Sequence, residues 1–198
     1  ADTGVNAGKT PDIIALFLGT NDFYGDYANI GTFDAVNFDA LITQNDGAYT
    51  YATPTTTMEA YAISLHKMQQ AYPDAEIYCF TLLEVYNAMY DTENFNADIK
   101  KMAQRFGCYV VDLQYDCGVT ENVYSFDLLM SKEQNPLHPN EKGMDGITNA
   151  FVASILRNSK YIPESAVVHN VSYDLNNVLS IGGTADADGK VVDSECGS

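Results

Sequence analysis

Three short apolar runs have the pattern of buried β-strands. They cover Asp12 to Leu18, Glu76 to Thr81 and Cys108 to Leu113, and polar or turn-forming residues follow each run. Continuous apolar runs of this length are typical of strands that are buried on both faces, as in a parallel sheet.

Three other segments have the spacing of amphipathic helices. Their apolar stripes are Met58, Tyr61, Leu65, Met68 and Tyr72; Phe95, Ile99, Met102 and Phe106; and Met144, Ile147, Phe151 and Ile155. Thr56 and Glu59 form a capping box ahead of the first helix, Pro73 closes it, and Gly107 is expected to end the second. The alternation predicts an α/β fold with a parallel sheet, whose ligands bind outside the carboxyl ends of the strands.

Two regions depart from this alternation. Tyr24 to Thr55 is rich in Gly, Asp, Asn, Thr and Tyr, and is predicted to be a long functional or mobile loop. After about Tyr161 the chain alternates like a strand, with Asn-Asn and Gly-Gly turns, which indicates a β-hairpin appendage or the opening of a further β domain. We therefore predict one domain over residues 1–160 and a β-rich extension over 161–198.

The charge of the chain narrows the range of partners. A formal net charge of −17 with only ten Lys and Arg argues against nucleic acid or an anionic membrane surface. No apolar run approaches the ~18–20 residues that span a bilayer. The acidity and the fourteen Tyr favour an extracellular or cell-surface protein.

Cys79 and Cys108 are expected to be buried free thiols, although Cys108 could instead pair with Cys117 in an oxidising compartment.

Two polar residues are candidates for chemistry. Asn21, in "GTND", follows the first strand, where its amide is a fixed uncharged donor of the type that stabilises an oxyanion; the same four residues also suit an ordinary turn. His138 precedes Pro139, which suits the first position of a helix, so the histidine is expected at or near the N-cap. A neutral imidazole there can act as a general base. His66 and His169 are interpreted as structural.

These two stretches together resemble one family. "PDIIALFLGTNDF" and "LHPNEKG", with "YPDAEIYCFT", "NADIKKMAQRFG" and "YVVDL" between them, resemble the SGNH hydrolases, also called GDSL esterases and lipases, over Pro11 to Arg157. The resemblance implies a flavodoxin-like three-layer α/β/α sandwich without cofactor or metal. It implies that Asn21 donates to the oxyanion hole and that His138 is the base that activates a serine. It also implies a substrate pocket bordered by the following residues: Gly19, Thr20, Asp22, Tyr24 and Tyr27.

The chain departs from the family pattern in two ways. The family's nucleophilic serine lies upstream in a Gly-Asp-Ser motif, and Ala1 to Thr10 contain no serine. The first strand and helix of the sheet are therefore expected outside this chain, in a longer polypeptide or a separate chain, unless the nucleophile is lost. The family's Asp three residues before the histidine is Asn135 here. Asp127 or Asp116 could take its place.

The resemblance favours a serine-type acylhydrolase that cleaves carbohydrate-linked or small acyl esters and is completed by an outside nucleophile. Tyr49 and Tyr51 are further candidates for stacking against such a substrate. The alternative is a non-catalytic binding module that keeps the fold, for which the absent serine and Asn135 are the evidence.

Overall fold

The computed structural model describes residues 8–24, 29–83, 92–119, 138–162, 173–174 and 190–191. The strands are β1 Ile13–Leu16, β2 Ile42–Asn45, β3 Ala48–Tyr51, β4 Glu76–Phe80, β5 Tyr109–Val111, β6 Tyr173–Asp174 and β7 Lys190–Val191. The helices are α1 Thr20–Tyr24, α2 Phe38–Leu41, α3 Thr57–Ala71, α4 Thr92–Arg105, α5 Leu113–Asp116 and α6 Glu141–Asn158, with a 3-10 turn at Phe33–Ala35. The chain divides into two compact units, Ala1–Ser159 and Lys160–Ser198. The second contains the antiparallel pair β6–β7, and the predicted domain boundary stays a prediction.

The first unit is built on a parallel sheet in the order β1-β4-β5. Ile13 pairs with Glu76, and Tyr78 pairs with Tyr109, so all three strands end at the same edge. The three predicted strands are confirmed, each shorter than its apolar run. All five residues of β4 are buried, as expected for a central strand with a helical layer on each face.

Helices cover both faces of the sheet. On one face, Ile77 and Cys79 pack in a common cluster with buried side chains of α3 and α4, among them Leu65 and Ile99. On the other, Tyr78, Phe80 and Val111 pack with α6 through Ile147, Ala150, Phe151 and Ile155. The predicted three-layer α/β/α arrangement is therefore confirmed. The capping box is also present: Thr56 accepts from the Glu59 N–H, and Gly107 follows α4 with a φ of +64°.

The prediction of a long loop over Tyr24 to Thr55 is wrong. Its described part holds the 3-10 turn, α2 and the antiparallel hairpin β2–β3, in which Ile42 pairs with Tyr51. Asp46 and Gly47 form the hairpin turn with positive φ values of 48° and 81°. Asn-Asp-Gly between two runs rich in Thr and Tyr is a hairpin signal that composition alone obscures.

The third helix exists as predicted, and Ile147, Phe151 and Ile155 of the predicted stripe pack in the core, but Met144 does not. Met144 is 50% exposed, whereas Gly143, Ile147, Ala150 and Ser154 are buried. Small residues on this face let α6 approach the sheet closely. The Ser154 hydroxyl donates to the Val110 carbonyl at 3.1 Å.

The cysteines of the described part are unpaired. Cys79, Cys108 and Cys117 are free thiols, so the alternative of a Cys108–Cys117 disulfide is not present. Cys117 Sγ instead donates to the Leu113 carbonyl at 2.7 Å.

We predict that Gly146→Ala destabilises the protein, although alanine ordinarily stabilises a helix interior by about 1 kcal/mol relative to glycine. A Cβ at this position would lie 2.2 Å from the Cys117 carbonyl oxygen, so α6 would have to move away from the segment that follows α5. We expect the free energy of unfolding to fall by about 1–3 kcal/mol in urea titrations. Asn149→Ala, at an exposed position of α6, is the control and should be neutral or slightly stabilising; the same outcome for Gly146→Ala would contradict the close approach.

Candidate active site

The carboxyl ends of the three strands bring distant polar residues to one edge of the sheet. Gly19, Thr20 and Asn21 follow β1, Thr81 follows β4, and Asp112 follows β5. The Thr81 hydroxyl donates to Asp112 Oδ1 at 3.2 Å, which ties the second and third strand ends together. This is the edge at which open α/β sheets bind their ligands.

Gly19 fixes the path of the chain from β1 toward Asn21. It is buried and has a φ of +111°, a conformation that favours glycine. A Cβ here would lie 2.8 Å from Phe95 Cζ and 3.9 Å from Leu82 Cδ2. The backbone therefore rests directly on the side chains that follow β4 and begin α4.

Asn21 lies in the short helix α1 rather than in a simple turn. Its side chain is exposed, and that of Thr20 is half-buried. Asp22 Oδ1 accepts a hydrogen bond of 3.3 Å from the Thr57 hydroxyl, at the first residue of α3. A carboxylate at a helix N-terminus is favoured by the helix dipole. The Asp22–Thr57 contact thus anchors α1 and leaves the Asn21 amide facing solvent at the strand edge.

Sequence reasoning missed the polar group that shapes this edge. Asn96 in α4 is fully buried, accepts from the Leu82 N–H at 2.7 Å and donates to the Leu82 carbonyl at 3.0 Å. It also donates to Gln114 Oε1 at 3.2 Å. Lys100, one turn further along α4, forms an ion pair with Asp112, its Nζ 2.5 Å from Asp112 Oδ2. The available signal was a polar residue on the apolar face of an amphipathic helix, next to Phe95.

His138 lies just before α6, the helix that covers the other face of the sheet. Along α6, Ser154 lies opposite Val110 in β5 and Gly146 lies beside Cys117, so lower numbers approach the carboxyl edge. His138 precedes this end of α6 and is exposed. The N-cap is Asn140, whose side chain accepts from the Gly143 N–H at 3.1 Å. Pro139 therefore lies outside the helix and not at its first position, and His138 stands two residues before the cap.

A row of aromatic rings connects the end of β1 with α6 across β4. Phe17, between β1 and Asn21, stacks on Phe80 with ring centroids 5.4 Å apart, and Phe80 lies 5.0 Å from Phe151 of α6. The element that carries Asn21 and the helix that follows His138 therefore pack against the same residue of β4.

The remaining candidates are less defined. No contact within the described residues joins Asn21 to His138. Asp116, an alternative to Asn135, lies 3.9 Å from Arg157 Nη2 and is exposed. Tyr24 ends α1. Three candidates lie outside the described residues: Tyr27, Asp127 and Asn135.

The described residues place no serine at this edge. Their serines are Ser64 and Ser154 within helices and Ser159 directly after α6. Burial raises the pKa of the Cys117 thiol, which disfavours the reactive thiolate. No group of three or more potential metal ligands occurs among the described side chains.

The fold defines an open α/β protein with a candidate site at the carboxyl edge of its sheet, and comparison with known sequences identifies its family. The model of the GDSL-like lipase/acylhydrolase family matches residues 2–145, and the chain belongs to this family. The predicted family is therefore confirmed. No curated protein matches the sequence.

Several solved structures share the fold. A protein from Lactobacillus plantarum is 21% identical, with a TM-score of 0.55 over 76% of this chain and 71% of its own. A carbohydrate esterase family 3 protein from Talaromyces cellulolyticus is 20% identical, with a TM-score of 0.53 over 80% and 63%. A protein from Chitinophaga pinensis is 19% identical, with a TM-score of 0.50 over 75% and 74%. The chain spans 64% and 53% of the lengths of two further matched structures.

Identities of this size show a common fold and not a common substrate.

In the part of the chain that the structure describes, no helix has both the length and the apolar character needed to cross a membrane.

We predict that Gly19→Ala is more harmful than the same change at another glycine of positive φ. Gly47, with a φ of +81° and no atom within 4 Å of an added Cβ, is the matched control. Gly47→Ala should cost about 1–2 kcal/mol of unfolding free energy from backbone strain alone. Gly19→Ala should cost about 1–3 kcal/mol more, because Phe95 must also move. Partial recovery in the double variant with Phe95→Leu would identify the steric cause, and equal costs at the two glycines would refute it.

Proposed function

We propose that this chain supplies the oxyanion donor and the general base of a serine-type acylhydrolase acting on carbohydrate-linked or small acyl esters. Asn21 donates its amide N–H to the oxyanion of the tetrahedral intermediate. His138 takes the proton of the serine hydroxyl and later gives it to the leaving alcohol. The proposal rests on the position of Asn21 directly after β1, at the carboxyl edge of the sheet, and of His138 just ahead of α6, in a member of an acylhydrolase family.

The remaining roles follow from the neighbours of these two residues. Gly19 and Asp22 hold α1 in position, and Thr20 borders the site, while Tyr24 and Tyr27 are proposed to line the substrate pocket. Asn135 is proposed to accept from the imidazole through its side-chain carbonyl. An amide there gives no negative charge to stabilise the imidazolium. The likeness of the fold to a carbohydrate esterase of Talaromyces cellulolyticus supports the carbohydrate part of the proposal.

The nucleophile is proposed to arrive on a strand from outside this chain. Among the described strands, β1 pairs with β4 alone. The Asp12 carbonyl accepts from the Glu76 N–H, so alternate residues of β1 face β4 and the backbone groups of Ile13 and Ala15 point away from it. Ala15 is exposed, and Phe17 is 41% exposed. A parallel strand at this free edge would end beside Asn21.

Ester hydrolysis tests the catalytic roles in a polypeptide that contains both this chain and the serine-bearing segment. With p-nitrophenyl acetate, Asn21→Ala should lower kcat about 10²–10³-fold, and Asn21→Asp at least as much, because a carboxylate repels the oxyanion. His138→Ala should lower kcat about 10²–10⁴-fold. Lys142→Ala and Asn45→Ala, both exposed, are the controls. An unchanged kcat in the His138 variant would rule out its role as the base. Full activity of the isolated chain would rule out a nucleophile from outside it.

Hydrogen exchange tests the free edge of β1. In the isolated chain, the amides of Ile13 and Ala15 should exchange rapidly while those of Ile14 and Leu16 are protected. In the complete polypeptide all four should be protected. Ala15→Pro removes an N–H that the β1–β4 ladder does not use, so it should abolish Ile13 protection and activity but keep Ile14 protection. Ala15→Val retains the N–H and is the control, which should keep both Ile13 protection and activity. Rapid exchange at Ile13 and Ala15 in the complete polypeptide would contradict the addition of a strand at this edge.

A further inference from the structure

We propose that a hollow beside Tyr51 is a binding subsite for a neutral saccharide chain, along the outer side of α3. The hollow has a volume of about 330 Å³ and is open to solvent. The residues after β3 form one wall, with Tyr51 and Pro54, and α3 forms the other. The inference extends the proposed function, because it defines where the part of the substrate remote from the ester would bind.

The Tyr51 ring is held in a fixed orientation. Its hydroxyl lies 3.0 Å from His66 Nδ1, and the His66 ring meets those of Tyr51 and Tyr49 edge-on at 5.7 and 4.4 Å. Burial lowers the pKa of His66, so the neutral ring is available to accept the tyrosine proton. An aromatic side chain that is already ordered loses little conformational entropy when a sugar ring stacks on it.

Lys67 supplies hydrogen-bond donors next to this ring. Its ammonium lies 4.7 Å from the Tyr51 centroid and also borders the hollow. Within the described part of the chain it forms no ion pair, so its three N–H donors can turn toward sugar hydroxyls. The net charge of −17 disfavours a polyanionic saccharide, which makes a neutral one the better fit.

The open shape distinguishes a saccharide from an acyl chain. An acyl chain gains binding energy in proportion to the apolar area removed from water, which requires an enclosed channel. A sugar ring can place its C–H face on Tyr51 and leave its hydroxyls in solvent. Thr53 and Ser64 also border the hollow. The Ser64 hydroxyl donates to the Ala60 carbonyl at 2.8 Å, so toward a sugar it can act only as an acceptor.

The hollow and the contact with Asp22 lie along the same side of α3. Thr57, Ala60, Ser64 and Lys67 are spaced by three, four and three residues, so they form one stripe on the helix surface. Thr57 contacts Asp22, the neighbour of Asn21, and Ala60 is the first residue of the stripe to border the hollow. From Thr57 to Lys67 the helix rises about 15 Å. A saccharide with its ester at Asn21 can therefore extend along this stripe.

Binding is tested by isothermal titration of cellohexaose, xylohexaose and maltohexaose into the complete polypeptide with His138→Ala, which keeps catalysis out of the measurement. We expect at least one hexasaccharide to bind. Tyr51→Ala should weaken that binding about tenfold or more, and Tyr51→Phe, which keeps the ring, less than about threefold. Ala60→Leu, which fills the hollow and leaves Tyr51 in place, should weaken it similarly to Tyr51→Ala.

Tyr115→Ala is the matched control. Tyr115 is 65% exposed and has the Lys100 ammonium 5.1 Å from its ring centroid. It therefore has the same combination of tyrosine ring and lysine ammonium as Tyr51 and Lys67, but lies outside the hollow. Its replacement should leave binding unchanged. Absence of binding by all three hexasaccharides, or binding that both Tyr51→Ala and Ala60→Leu leave intact, would overturn the subsite. Cleavage of p-nitrophenyl acetate reports separately on Asn21 and His138, so either proposal can fail without the other.

Discussion

The burial of β4 is the constraint on which the rest of the structure depends. Every residue of Glu76–Phe80 is buried, and its backbone is satisfied only by a parallel neighbour on each side. Even the Glu76 carboxylate is enclosed, where it accepts from the Tyr78 hydroxyl at 3.1 Å. Because all three strands run in the same direction, their polar continuations emerge at one edge. The location of the candidate site is therefore a consequence of sheet pairing and not of any property of Asn21 or His138.

The side-chain amide of Asn96 continues the backbone hydrogen bonding past the end of β4. Asn96 binds both the N–H and the carbonyl of Leu82, as a neighbouring strand would, and so satisfies a peptide that is buried beyond the ladder. Leu82 and Phe95 in turn form the surface on which Gly19 rests. A buried peptide without these partners would cost about 1–3 kcal/mol per unsatisfied group. The turn that presents Asn21 thus relies on a helix more than seventy residues later in the chain.

The parts of the fold that follow from local pattern were predictable, and those that follow from tertiary packing were not. Continuous apolar runs gave the three strands, and the capping box of Thr56 gave the start of α3. On α6 only Met144 was wrongly assigned to the core, because of its hydrophobicity. The close contact of Gly146 with Cys117 could not be foreseen, because it requires the absence of a side chain. The β2–β3 hairpin was missed because its segment has the composition of a loop. The edge of the site was predictable from topology, whereas the role of Asn96 was not, because no local rule links it to Leu82.

The geometry of the two halves of the site can be related through the sheet. Adjacent strands lie about 4.8 Å apart, so the end of β1 and the end of β5 are separated by about 10 Å. A histidine directly above β5 would therefore be remote from Asn21. However, Phe151 packs against both Tyr78 and Phe80, which shows that α6 lies over β4 as well as β5. Phe80 also stacks on Phe17, in the segment that leads from β1 to Asn21. The same aromatic contacts that close the core therefore join α6, β4 and the approach to Asn21 into one packed layer.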